Sequence, residues 1–372
     1  MTGWRRRAAL WAGLAVVLAS PACDAPAVEP PDPPGPGSGV VEGVDLNALF
    51  EEPTPAEGQR VAGDLAGRPP SVATVVPVRT VERADREAIH VVAGLDARGD
   101  TAFVGAIRQP PRLPGDQRAR PLLLVLSYGP DVELATALGV PPLRDDLQDE
   151  FVTVVAGYRG GGLRVDGRTY TSDLAADPYD TDARDAAALV AYARARAGED
   201  RADPSRLVVV GWGRGGTAAL LASLRGLQSQ LVVTLGAPTD FFLPSVRADA
   251  RRFLLGQPLS RLPEVESVLL ASAGALRDGE ASLAEARRAL LARSPAYGGA
   301  LSTYVVAAHG DADIRVPVEH GRRLAGAGDL EDVYLEIGGV DADGILRSDE
   351  VISTVSNLIC QRVLPSEPDC DG

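Results

Sequence analysis

Leu207-Val208-Val209-Val210, followed by Gly211-Trp212-Gly213-Arg214-Gly215-Gly216, is the segment that most restricts how this chain can fold. Four consecutive aliphatic residues without polar alternation read as a strand covered on both faces. Glycines at 211, 213, 215 and 216 mark a turn where backbone must approach backbone closely or adopt a positive φ. Thr217 to Leu224 then reads as helix. A buried strand turning sharply into a helix belongs to a largely parallel sheet with helices packed on it. The alternation recurs along the chain. Strands are expected at Pro121–Leu126, Phe151–Ala156, Leu231–Leu235, Thr303–Ala308 and Val333–Ile337. Helices are expected at Asp182–Ala197, with its N-cap at Asp180 or nearby, at Val318–Ala325 and at Asp349–Cys360. Val44–Leu65 reads as short helix and loop, and Ala88–Leu95 with Thr101–Arg108 as a β-hairpin around Asp96-Ala97-Arg98-Gly99-Asp100. The expected fold class is α/β: a mostly parallel twisted sheet with an antiparallel N-terminal hairpin, helices on both faces, and a helical insertion.

The N-terminus reads as an export signal. Arg5-Arg6-Arg7 is a charged leader, Ala8–Leu18 an apolar stretch too short to span a bilayer, and Ser20-Pro21-Ala22 a small-residue cleavage site. Cys23 follows at once, the position lipidated in a bacterial lipoprotein; an ordinary signal peptidase would cut the same bond. Asp24–Gly39, rich in Pro, Gly and acid, reads as an extended tether. The expected organisation is a signal peptide over 1–22, anchor and tether over 23–42, an N-terminal extension with the hairpin over 43–115, and the main domain over 116–372, with a cap insertion at about 240–295. The expected location is the bacterial cell envelope, with the membrane touched only through the lipid.

The 372 residues carry a formal net charge of −14, which excludes nucleic acid as a natural partner. No lysine occurs, so every basic side chain is arginine. That excludes a lysine-bearing phosphate loop and lysine Schiff-base chemistry. Cys360 and Cys370 remain after the anchor position; in an oxidising compartment they pair, and otherwise they are free thiols.

From Ala88 to Cys360 the chain resembles the α/β-hydrolase superfamily, its prolyl-oligopeptidase-like and dienelactone-hydrolase-like branches above all. Leu126-Ser127-Tyr128-Gly129-Pro130 stands where that family has an H-G-G-P turn, and Gly157-Tyr158-Arg159-Gly160 is similar to its Y-R-G turn. Gly211 to Gly216 is similar to the nucleophile elbow, G-x-S-x-G. Ser294-Pro295 precedes the penultimate strand, and His309-Gly310-Asp311-Ala312-Asp313-Ile314-Arg315-Val316-Pro317 is similar to H-G-x-x-D-x-x-V-P. The resemblance implies a nucleophile at Gly213, which has no side chain, and a triad acid at Asp313. It also implies a histidine about thirty residues later, near Gly339-Val340-Asp341-Ala342, where none stands. The chain's three histidines are His90, His309 and His320. Gly211, Trp212, Arg214, Gly215, Tyr128 and Arg159 are implied to surround the oxyanion region.

Serine-type acyl transfer needs an oxygen nucleophile with a base beside it. In a serine protease, losing either costs about 10⁶-fold in turnover. The expectation is therefore a non-catalytic binding or scaffold protein on a hydrolase fold, binding a small molecule, a peptide or an envelope protein. The alternative is a peptidase or esterase with a rewired site. Arg159 and Arg214 either pair with Asp311 or Asp313 or hold a ligand carboxylate. Asp341, Asp343 and Glu350 have the spacing of part of a calcium loop, or of a polar loop ending in a helix cap. No other cofactor is expected.

Overall fold

The computed structural model describes residues 39–66, 68, 72, 74–83, 87–111, 116–139, 142–299, 301–327, 333–365 and 370. The signal sequence, Cys23 and most of the tether lie outside them.

The chain opens with a short hairpin, β1 (Val40–Val41) and β2 (Val44–Asp45), and helices α1 (Leu46–Leu49) and α2 (Pro55–Ala66). Thr54 and Glu57 cap α2 reciprocally: Glu57 accepts from the Thr54 N–H and the Glu57 N–H donates to the Thr54 hydroxyl. Next come β3 (Thr74–Glu82), β4 (Ala88–Leu95), β5 (Thr101–Gln109), β6 (Arg120–Leu126), β7 (Asp131–Glu133), α3 (Leu134–Gly139), β8 (Val152–Ala156), β9 (Gly162–Val165) and β10 (Arg168–Thr171). The chain continues through α4 (Asp180–Ala195), α5 (Ala197–Asp200), β11 (Ala202–Trp212), α6 (Arg214–Leu224) and β12 (Leu231–Leu235). The insertion follows as α7 (Pro244–Leu254), α8 (Val265–Leu269), α9 (Ala275–Arg277) and α10 (Leu283–Leu291). The last elements are β13 (Tyr304–Gly310), α11 (Glu319–Gly326), β14 (Val333–Ile337) and α12 (Asp349–Arg362).

One nine-stranded sheet runs in the order β14-β13-β12-β11-β6-β8-β5-β4-β3. The six strands from β14 to β8 are parallel, and β5, β4 and β3 continue antiparallel. The parallel strands are buried on both faces, and their side chains alternate between two cores. Leu122, Leu124, Leu126, Leu207, Val209 and Val232 face one core, which α4 and α6 cover. Leu123, Val125, Val208, Val210, Leu231 and Val233 face the other, which α12 closes with Val351, Val355 and Ile359 at four-residue spacing. From β6 the chain steps outward to β8 and then returns to β11 on the opposite side of β6. The carboxyl ends of β6 and β11 therefore flank a topological switch point, where ligand sites form in open α/β sheets.

The expected strands and helices are present within a few residues. Three features differ. A ninth strand, β3, extends the N-terminal hairpin; its valines lie around Pro77 in a mostly exposed segment with no alternation of burial. β7, β9 and β10 form a separate small sheet. The cap of α4 is Tyr179, not Asp180: Asp182 accepts from the Tyr179 N–H at 2.7 Å, and Asp180 becomes the first helical residue. Cys360 and Cys370 are joined in a disulfide.

Candidate functional site

The turn from β11 into α6 is built by glycines that have different neighbours. A Cβ at Gly211 would lie 2.3 Å from the Gly215 carbonyl oxygen, one at Gly215 would lie 2.1 Å from that of Leu126, and one at Gly216 would meet the Thr234 hydroxyl at 2.5 Å. These three glycines let α6 sit against β6 and β12. Gly213 has another reason to be glycine. Its φ of 54° and ψ of −123° are strained for a residue with a Cβ, and its N–H donates to Leu235 O at 2.8 Å. A Cβ there would stand 2.2 Å from Cδ2 and 2.6 Å from Cε2 of Tyr128. The tyrosine ring thus fills the space into which a residue at 213 would project.

Tyr128 stands at the end of β6 and is half-buried. Its ring packs against the Arg315 guanidinium, 5.0 Å from the ring centroid, and burial pushes its phenol pKa up. Arg315 in turn pairs with Asp343. In the Leu126-Ser127-Tyr128-Gly129-Pro130 run, Tyr128 falls on the first glycine of the H-G-G-P pattern. The bulky residue at 128 thus faces the smallest one at 213.

Asp313 lies at the end of β13 and is buried. Its Oδ1 accepts from the N–H groups of Arg315 (2.8 Å) and Val316 (2.9 Å), which closes the turn. Its Oδ2 is buried and has no hydrogen-bond partner. The loop after β14 does reach this corner: Val340 O accepts from the Ala312 N–H at 3.1 Å, and Asp311 accepts from the Gly339 N–H. Asp341, near the expected histidine position, is exposed and accepts from the Gly344 N–H at 2.7 Å. Among the described residues, no group of three or more His, Cys, Asp or Glu side chains is gathered to hold a metal ion. Asp343 is committed to Arg315, and Glu350 lies in the first turn of α12.

The histidines are placed elsewhere. His309 Nε2 bonds Val316 O at 2.8 Å. His320, on α11, is fully buried, and its Nδ1 accepts from the N–H groups of Thr239 (3.2 Å) and Asp240 (3.3 Å). An imidazole that accepts twice at Nδ1 is neutral there, and burial holds its pKa down to about 3. His90 lies on β4, hydrogen-bonded to Thr80.

Arg159 and Arg214 do not pair with Asp311 or Asp313. Arg159 makes a fork to Asp185 at 2.8 and 2.9 Å. Arg214 is completely buried and makes a fork to Asp182 at 2.7 and 2.9 Å, with Glu264 of the insertion at 3.1 Å. The Tyr158 ring lies 4.5 Å from its guanidinium carbon, and the Tyr158 hydroxyl donates to Ser127 O at 2.8 Å. Burial alone would lower the Arg214 pKa, but Asp182 more than offsets this and holds it above its ordinary value. Arg159 and Arg214 face helix α4 because the acids they need are on it. Asp182 and Asp185 are one helical turn apart there. Only a pairing of separate elements in space reveals this, and the sequence reading missed it. Trp212 is buried in the sheet core.

Solved structures share this architecture. An acetyl xylan esterase from Paenibacillus sp. R4 superimposes with a TM-score of 0.52 at 14% identity, covering 83% of this chain and 98% of the other. Acetyl xylan esterase 1 from Thermoanaerobacterium sp. JW/SL YS485 gives 0.50 at 14% identity, covering 80% and 93%. The fold is that of the α/β-hydrolases. No protein-family model and no curated protein sequence matches the chain. At such identity the α/β-hydrolase likeness establishes architecture, and function has to be argued from the site. Within this fold Gly213 is at the apex of the β11–α6 turn, Asp313 is in the turn after β13, and the loop over Gly338–Gly344 lies beside it.

Proposed function

We propose that this chain is a non-catalytic binding module on an α/β-hydrolase fold, exported and anchored through a lipid on Cys23. The observation that carries the reading is the Tyr128 ring standing where a nucleophile's Cβ would be, opposite a glycine. Two further facts support it: no histidine follows His320, and the outer oxygen of Asp313 has no partner. Without a nucleophile and a base, the remaining backbone donors of the elbow have no alkoxide to stabilise. The partner is a small molecule, a peptide or an envelope protein.

An active esterase or peptidase with a rewired site is the second reading, favoured by the two acetyl xylan esterases that share the fold. Fluorophosphonate labelling and p-nitrophenyl-ester turnover, measured on the full chain beside a heat-killed control, separate the two. The binding-module reading expects neither signal above buffer. Saturable turnover with one labelled residue establishes the second reading and identifies the replacement nucleophile. For the anchor, mass analysis of the N-terminal peptide after expression in a bacterium should show an acylated Cys23. A Cys23→Ala variant should leave the membrane fraction.

A further inference from the structure

Among the described residues six large apolar side chains are exposed, and four of them belong to two neighbouring stretches: Val40 on β1, and Leu255, Leu270 and Leu283 in the insertion. The two stretches are bolted together. Asn47 accepts from the Arg247 guanidinium, and Arg287 of α10 donates to the carbonyls of Ala48 (3.0 Å), Leu49 (3.2 Å) and Glu51 (2.9 Å). The Leu46 N–H donates to Gly39 O at 2.7 Å, so the chain enters the fold beside α1 and α7. On α7 and its C-cap, Arg247, Arg251 and Leu255 follow one another at four-residue spacing, which puts them on one stripe. A Cβ at Gly274 would lie 3.2 Å from the Phe253 ring, and the Arg277 guanidinium stands 5.9 Å from the centroid of that ring. Asp278, and more weakly Glu42 between β1 and β2, push the Arg277 pKa up, which puts the hairpin at the same corner. Leu270 has no packing reason to be leucine: the buried stripe of α8 runs through Val265, Val268 and Leu269, and Leu270 stands off it, 59% exposed. From Pro244 to Arg277 there are five arginines and three acids, on a chain whose net charge is −14. Asp249 is taken by Arg252 at 3.2 Å and Glu264 by Arg214 at 3.1 Å, which leaves Glu266. Arg251 and Arg261 are exposed and pair with no described carboxylate.

We propose that this face lies on an anionic bilayer surface, with Val40, Leu255 and Leu270 entering the headgroup region and Arg251 and Arg261 meeting lipid phosphates. The choice of occupant rests on the anchored reading above. Fifteen residues separate Cys23 from Gly39, they span at most about 50 Å, and they join the fold on this face. Interfacial binding draws on apolar side chains and arginines presented by one surface. A lone exposed leucine is ordinary in a globular protein; leucines beside unpaired arginines, where the chain leaves toward its anchor, are not.

Arginine footprinting on vesicles tests it. The full chain is mixed with vesicles of phosphatidylcholine and phosphatidylglycerol, floated, treated with phenylglyoxal and mapped by mass spectrometry. Arg251 and Arg261 should react at least about fivefold more slowly on vesicles than in buffer. Arg98, on the β4–β5 turn, and Arg347, between β14 and α12, are exposed and should react at an unchanged rate. Leu255→Asp with Leu270→Asp, both at exposed positions, should restore the buffer rates while the chain still floats through its N-terminus. A chain that floats with Arg251 and Arg261 as reactive as in buffer overturns the proposal and leaves the anchored reading standing. A chain that does not float overturns both. Protection that survives the double variant also overturns the proposal. So does protection that appears without vesicles as protein concentration rises, which marks a face between two copies instead.

Discussion

The turn from β11 into α6 and the turn after β13 are built in different ways. At the first, the backbone is fixed by close contact: Gly211, Gly215 and Gly216 each face atoms that leave no room for a Cβ, and the Tyr128 ring fills the space beside Gly213. At the second, a side chain fixes the turn: Asp313 closes it through Oδ1, while Oδ2 accepts no hydrogen bond. A turn held by close packing tolerates no added atom, whereas one held by a side-chain acceptor tolerates a residue that keeps the acceptor.

The comparison can be broken by substitution, and the largest effect should come from beneath the elbow. Arg214→Ala strands Asp182 as a buried, uncompensated charge. The expected loss is about 3–5 kcal/mol of unfolding free energy, read from the denaturant midpoint. A loss below 1 kcal/mol would mean that water reaches the pair. The glycines should then separate by neighbour. Gly215→Ala drives a methyl into the Leu126 backbone and should cost about 3 kcal/mol, the upper end for overpacking. Gly213→Ser meets a side chain and a strained φ, and should cost about 1–3 kcal/mol. In a double-mutant cycle, Tyr128→Gly should recover part of that cost, with a coupling of about 0.5–3 kcal/mol. Additive effects would show that the ring is not the obstacle. Neither Gly213→Ser nor the double variant should hydrolyse esters, since no histidine is hydrogen-bonded to Asp313 and His309 is committed to Val316 O.

The histidines sharpen the comparison through pH. His320 takes up a proton near pH 3 in the folded chain, whereas the unfolded imidazole does so near 6.5. Between those values the unfolded state holds the extra proton, so His320 lowers stability as pH falls through that window. The slope should approach about 1.4 kcal/mol per pH unit, levelling off below pH 3. A His320→Asn variant, whose carbonyl can replace the Nδ1 acceptor, should show a flatter stability profile from pH 6.5 to 4; an unchanged slope rules this out. The smallest effect belongs to the acid turn. Asp313→Asn keeps the Oδ1 acceptor and removes a charge whose neighbouring cation, Arg315, keeps Asp343 as its partner, so stability should change by less than about 1 kcal/mol.

Much of the fold was legible because a two-sided parallel sheet leaves a coarse signal: β12, β13 and the second half of β11 are short aliphatic runs with helical stretches between them. That Gly213 bears no side chain and that no histidine follows His320 were legible too, as facts of composition and position. What fills the space beside Gly213 was not. That Tyr128 lies over Gly213, or that Asp182 and Asp185 on α4 take the two arginines, depends on how residues far apart in sequence meet in space. β3 escaped for a different reason: an edge strand exposed along most of its length carries no burial pattern to read.

The Tyr128 ring also makes positions 128 and 213 depend on one another. A larger residue at 213 alone meets an aromatic edge, and trimming Tyr128 alone opens a void. Each single substitution is unfavourable by itself, so mutation one site at a time meets a valley on either route. The pair is thereby held in its present state by epistasis, a latch made from one ring.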